Sequence, residues 1–160
     1  MESWGEQMSV DTRSSARTPR AASAARAITL RRASLAVLVL LVLEYGTGMY
    51  VNLYVTVPGA DHGGGIGAAV ANGPALLSLH AVIGPLLALG ALGVLVLAAV
   101  LRHWAVAAAA AAGLFAIAFA GVTGVAYAST GDAADSMAMS VMTGVALVCY
   151  AAILYAAPRA

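Results

Sequence analysis

The sequence predicts an all-α integral membrane protein: a four-helix bundle of four transmembrane helices with both termini cytoplasmic. Three observations predict it. Hydrophobic residues make up 62% of the chain and charged residues 9%, where a soluble domain carries about 25% charged residues, so a water-facing surface cannot be assembled from this composition. Four apolar stretches, at about 33–57, 75–101, 104–128 and 136–157, each exceed the ~20 residues that cross a bilayer core as a helix. A segment in lipid must satisfy its own backbone hydrogen bonds, which makes the helix the economical form. The basic residues, finally, are all arginines and all fall on one side of such a layout. Arg13, Arg17, Arg20, Arg26, Arg31 and Arg32 precede the first stretch, Arg102 lies in the second connection, and Arg159 follows the last stretch. By the positive-inside rule that side is the cytoplasm, and the other side receives Asp61, Asp132 and Asp135.

With 160 residues, one domain is expected. Residues 1–32, rich in Ser, Ala and Arg and without apolar periodicity, are expected as a disordered cytoplasmic basic tail. Residues 33–157 form the four-helix transmembrane domain. Arg31-Arg32 before an apolar run resembles the start of a secretion signal, but the run extends far beyond an h-region and no cleavage site follows closely, so the pair reads as a topogenic anchor. The expected location is the cytoplasmic membrane of a bacterium, with the lipid bilayer as first partner and a second membrane subunit or another copy of the chain as further partners. The short arginine-rich segment suits anionic lipid heads and not nucleic acid.

The first stretch carries Glu44 about halfway along, within LVLEYGTG. A carboxylate at that depth is costly, and no basic residue sits level with it in this layout. A neutral, hydrogen-bonded acid is expected. Its functional reading is a proton relay or a quinone contact, and its plain reading is a bridge to another helix or a partner subunit. Asn52 and Tyr54, with Thr123 and Tyr127 of the third stretch, make a polar layer in the outer half, suited to flanking a cofactor or to interhelical hydrogen bonding.

The second stretch holds His80, about five residues and so roughly 8 Å from its outer end. Gly84 follows one helical turn later on the same face, and Pro85 removes an amide donor just below. A neutral imidazole with glycine one turn on has the form of an axial haem ligand. The alternative is a histidine hydrogen-bonded across helices. The fourth stretch opens with Met137, Met139 and Met142. Met137 shares a face with Ser140 and Gly144, whereas Met139 and Met142 point the other way. Met137 is therefore the thioether expected to complete a haem site, against a plain reading as a gap filler. His62 and His103 fall outside the stretches, and the single cysteine, Cys149, reads as a small packing residue. Phosphate loops, paired cysteines, HExxH and serine elbows are absent, so no catalytic residue is expected.

The chain also shows a faint internal duplication. GTGMYVNLYVT in the first stretch parallels GVTGVAYAST in the third, and LHAVIGPLLAL in the second parallels MSVMTGVALVC in the fourth. The pair Thr47-Gly48 matches Thr123-Gly124, and His80 with Gly84 aligns with Ser140 and Gly144. Parallel repeats of this kind occur in membrane proteins.

On LVLEYGTGMYVNLYVTVPGAD and LSLHAVIGPLLALGALGVLVLAAVLRHW, the chain resembles one four-helix half of the haem A synthase family. The resemblance spans about residues 33–157 and implies an axial histidine at His80, followed by a small-residue stripe and a basic turn. Two positions depart from the pattern. Leu77 stands where the catalytic half of that family has a glutamate, and Ser140 stands near its second histidine. Haem A synthesis is therefore not expected. The expected function is haem b binding through His80 near the outer leaflet, for electron transfer or redox sensing. The alternative is a cofactor-free structural or accessory subunit of a membrane complex.

Overall fold

A computed structural model describes residues 19–56 and 65–157. Among these residues the chain is helical throughout, in five helices: α1 (Pro19–Tyr54), α2 (Gly65–Asn72), α3 (Ala75–Val100), α4 (Trp104–Thr130) and α5 (Ala133–Ala156). Three of them, α3, α4 and α5, are long and apolar enough to cross a membrane. Their outward faces carry large exposed apolar residues such as Leu89, Phe115 and Val148, a surface suited to lipid and too apolar for water. The chain is a helical membrane protein.

This corrects the expectation of four transmembrane helices in a four-helix bundle. The departure lies in α1. It is 36 residues long, but Arg20, Arg26, Arg31 and Arg32 occupy its first half and Glu44 its second. Its apolar stretch thus carries a carboxylate near the middle and is preceded by arginines, and α1 is not among the helices long and apolar enough to cross. The shared cytoplasmic side of the two termini depends on four crossings and does not survive their loss. The fifth helix, α2, arises within the Gly-rich connection, whose short GIGAAVAN run gives no long apolar signal.

The N-terminal boundary differs too. Residues 19–32, expected in a disordered tail, belong to α1. Alanine and arginine are both strong helix formers, and Pro19 stands at the first helical position, where its missing N–H costs nothing. The remainder of that tail, His62 and Arg159 lie outside the described residues.

The long helices run alternately up and down. Along α1 and α3, Val37 meets Gly90, Glu44 meets Gly84, and His80 meets Gly48, an antiparallel register. Along α4 and α5, Gly113 meets Tyr150 and Gly124 meets Met139, again antiparallel. The turn between α4 and α5 is built from Gly131, at φ 69°, whose N–H donates to the Tyr127 carbonyl at 2.8 Å, and from Asp132, whose side chain accepts from the Ala134 N–H at 2.9 Å. A left-handed glycine after one helix and an aspartate cap before the next are the standard chemistry for such a reversal.

Buried side chains form two clusters. The larger includes Leu30, Val37, Leu41, Leu87, Val94, Val106, Ile117 and Tyr150, in the half of the bundle that contains Arg102. The smaller comprises Val51, Ala69, Leu77 and Ala128, toward α2. Small residues dominate the contacts of α4, where Ala110, Gly113, Ala116 and Ala120 are buried, because close helix approach is the main source of packing energy in lipid.

Candidate functional site

Between the two clusters lies a cavity of about 630 Å³. Leu41, Leu87 and Ile117 of the larger cluster form one end, and Val51, Leu77 and Ala128 of the smaller cluster form the other. The size falls within the range of sites for small molecules and cofactors. Its wall is apolar apart from a few groups, chiefly Glu44, Asn52, His80, Tyr127 and Thr143. Much of its width comes from residues with little or no side chain, including Gly48, Ala81, Gly84, Gly121 and Gly124.

His80 and Glu44 meet in this wall. Nδ1 of His80 stands 2.9 Å from Oε1 of Glu44. The approach is off the line of the ring N–H, so the buried Nδ1 lacks a hydrogen bond of good angle. Glu44 is 8% exposed, and the Thr47 hydroxyl lies 3.5 Å from its other oxygen while donating to the Glu44 carbonyl at 3.0 Å. A carboxylate alone at this place would be costly. The imidazole of α3 is the polar group beside it, so neither side chain stands alone in the apolar wall.

Two glycines shape the contact. A Cβ on Gly48 would stand 3.0 Å from Cε1 of His80, and a Cβ on Gly84 would stand 3.7 Å from Oε1 of Glu44. Each helix thus supplies a polar residue and, one turn later, a glycine, and each polar side chain lies over the glycine of the other helix. The imidazole packs tightly against bare backbone, whereas the carboxylate has ordinary contact distance.

The other expected residues are placed as follows. Asn52 lines the cavity and its Oδ1 accepts from the Ser136 hydroxyl at 2.7 Å, which ties α1 to α5. Thr123 is buried and donates back to carbonyls of its own helix. Tyr54 is 74% exposed. Met137 is 70% exposed and outside the cavity wall, so the structure does not bring it to His80. Met139 is the methionine that lines the cavity, with Thr143 beside it. The face expected to turn away from Met137 is thus the inward face of α5. Cys149 packs near Gly113 in the other half of the bundle, and His103 precedes α4 at the far end of α3.

Sequence reasoning singled out Glu44 and His80 but missed their pairing, and it missed Gly48. The available signal was the shared spacing: Glu44 to Gly48 and His80 to Gly84 both span one helical turn.

Among the described residues no three His, Cys, Asp or Glu side chains gather to hold a bare metal ion. A haem makes a smaller demand, since the macrocycle provides four nitrogens and the protein one or two axial ligands. Among the described residues His80 is the histidine in the cavity wall, with Oε1 of Glu44 at 2.9 Å from its Nδ1. The glycine and alanine positions leave width for a flat group. No protein-family model, curated protein or solved structure matches the chain significantly.

Proposed function

We propose that the protein is a multi-pass protein of the bacterial cytoplasmic membrane that holds haem b in the cavity between α1, α3 and α4, with His80 as axial ligand, for electron transfer or redox sensing. The observation that carries the reading is the Glu44–His80 pair in the wall of an otherwise apolar, cofactor-sized cavity. Haem supplies one-electron redox chemistry, and the chain's own residues do the rest. Glu44 would stand against the Nδ1 side of the imidazole, at 2.9 Å. Gly48 lets the ring lie against α1. The apolar wall excludes water, which lowers the local dielectric and so tunes the potential. No residue is assigned a catalytic role.

A second reading is a cofactor-free accessory subunit that joins another membrane protein or a second copy of itself. It is favoured by the fact that Glu44 and His80 already contact each other across α1 and α3. A reduced-minus-oxidised absorption spectrum separates the two. Protein expressed with haem supply and purified in detergent is expected to show b-type bands that disappear in His80→Ala. A colourless, folded wild type would overturn the haem reading and leave the accessory one.

A further inference from the structure

We infer that Met139 is the second axial ligand of that haem, so that the iron is six-coordinate and closed to small gases, an electron carrier and not a gas sensor. The inference rests on the haem reading, and it adds the ligand that reading leaves unassigned.

Elimination gives the first argument. The iron-ligating side chains to consider are histidine, cysteine, methionine and tyrosine. Among the described residues the other histidine, His103, lies beyond the far end of α3. Cys149 packs toward Gly113, Met137 is turned out of the bundle, and Met49, Met142 and the tyrosines other than Tyr127 are not in the cavity wall, although Met49 borders the narrow crevice beside it. Met139 and Tyr127 line the cavity. Of these two, only Met139 also borders the narrow crevice that continues beside Glu44 and His80, which brings its side chain to the same level as the imidazole.

The second argument comes from the internal duplication. Thr47-Gly48 of α1 aligns with Thr123-Gly124 of α4. Gly48 is the bare position against which His80 of α3 lies, at 3.0 Å from a Cβ placed there. Gly124 is the bare position against which Met139 of α5 lies, with Sδ at 3.1 Å from a Cβ placed there. In each half of the chain the glycine of a Thr-Gly pair makes room for one side chain of the following long helix. In the first half that side chain is an imidazole and in the second a thioether. Both are soft enough donors for haem iron, and both line one cavity. Sequence alignment alone pairs His80 with Ser140; packing moves the correspondence by one residue, to Met139.

The test uses full-length protein loaded with haem b. The wild type is expected to show a low-spin six-coordinate spectrum, with the far-red charge-transfer band of a thioether on ferric iron, and to leave carbon monoxide unbound. Met139→Leu conserves volume and is expected to lose that band, turn high-spin and bind carbon monoxide in the ferrous form. Met139→His is expected to stay six-coordinate without the thioether band, and Met137→Leu to match the wild type. A six-coordinate wild type unchanged by Met139→Leu, or a wild type that binds carbon monoxide readily, would overturn the inference while haem binding through His80 stands. A wild type that takes up no haem would remove both.

Discussion

Glu44 and His80 face one another across α1 and α3 at 2.9 Å, and each lies over the glycine one turn beyond the other. The pair joins an acidic and a basic side chain from different helices. Removing one member leaves the other buried without its partner. Glu44→Leu is expected to lower stability by about 1–3 kcal/mol, and Glu44→Gln by less, because the amide still reaches Nδ1. Thermal unfolding in detergent measures both. A Glu44/His80 double-mutant cycle should show a coupling of roughly 0.5–3 kcal/mol, and strict additivity would count against the pair.

The two glycines should respond unequally. Gly48→Ala places a methyl 3.0 Å from His80 Cε1, which displaces the ring at a cost of about 1–3 kcal/mol and weakens any haem bands. Gly84→Ala meets Glu44 at 3.7 Å, an ordinary contact, and gains up to ~1 kcal/mol of helix propensity. Equal effects in unfolding and absorption would show that the imidazole does not pack against α1 as described.

Much of this architecture is legible in the sequence, and the rest is not for identifiable reasons. The long helices α3, α4 and α5 follow from hydropathy, because lipid asks only for an unbroken apolar run. The crossing status of α1 does not, since its apolar run adjoins arginines that helix propensity carries into the same helix. The short α2 has too few residues to show a period. Glu44 and His80 stand out individually as ionisable residues in apolar surroundings. Their pairing depends on the antiparallel register of α1 and α3, which no local pattern encodes. The same holds for Met139. Three methionines open α5, and only the rotation of the helix against α4, visible at Gly124, selects the inward one.

The bond between Asn52 and the Ser136 hydroxyl, at 2.7 Å, is the side-chain hydrogen bond that links α1 to α5. Ser136→Ala is expected to cost about 0.6 kcal/mol, and at most roughly 1.7, as such bonds do in membrane bundles. Asn52→Ala should match it, and the double variant should cost little more than either alone.

In the other half of the bundle Tyr150 is fully buried, and its hydroxyl has no hydrogen-bond partner among the described residues. Tyr150→Phe removes that burden and is expected to raise stability by about 1 kcal/mol. Gly113→Ala should do the reverse, by about 1–3 kcal/mol, because its methyl would stand 2.8 Å from Cε2 of the same ring. A Tyr150→Phe variant that melts lower would show that the hydroxyl has a partner after all.

The cavity between the two packed clusters also determines how the molecule meets compression. Hydrostatic pressure acts on the void volume that unfolding eliminates, and the part of this partly open cavity that is shut off from its surroundings lies at one level of the bundle, where glycines and alanines line the wall. The level of Glu44 and His80 is therefore the compressible waist of the protein. The end around Tyr150, a fully buried side chain of the larger cluster, is expected to be the stiffer one. Pressure applied in detergent should loosen α1 against α3 and α4 first, and a ligand that fills the waist should make the molecule resist pressure along its whole length.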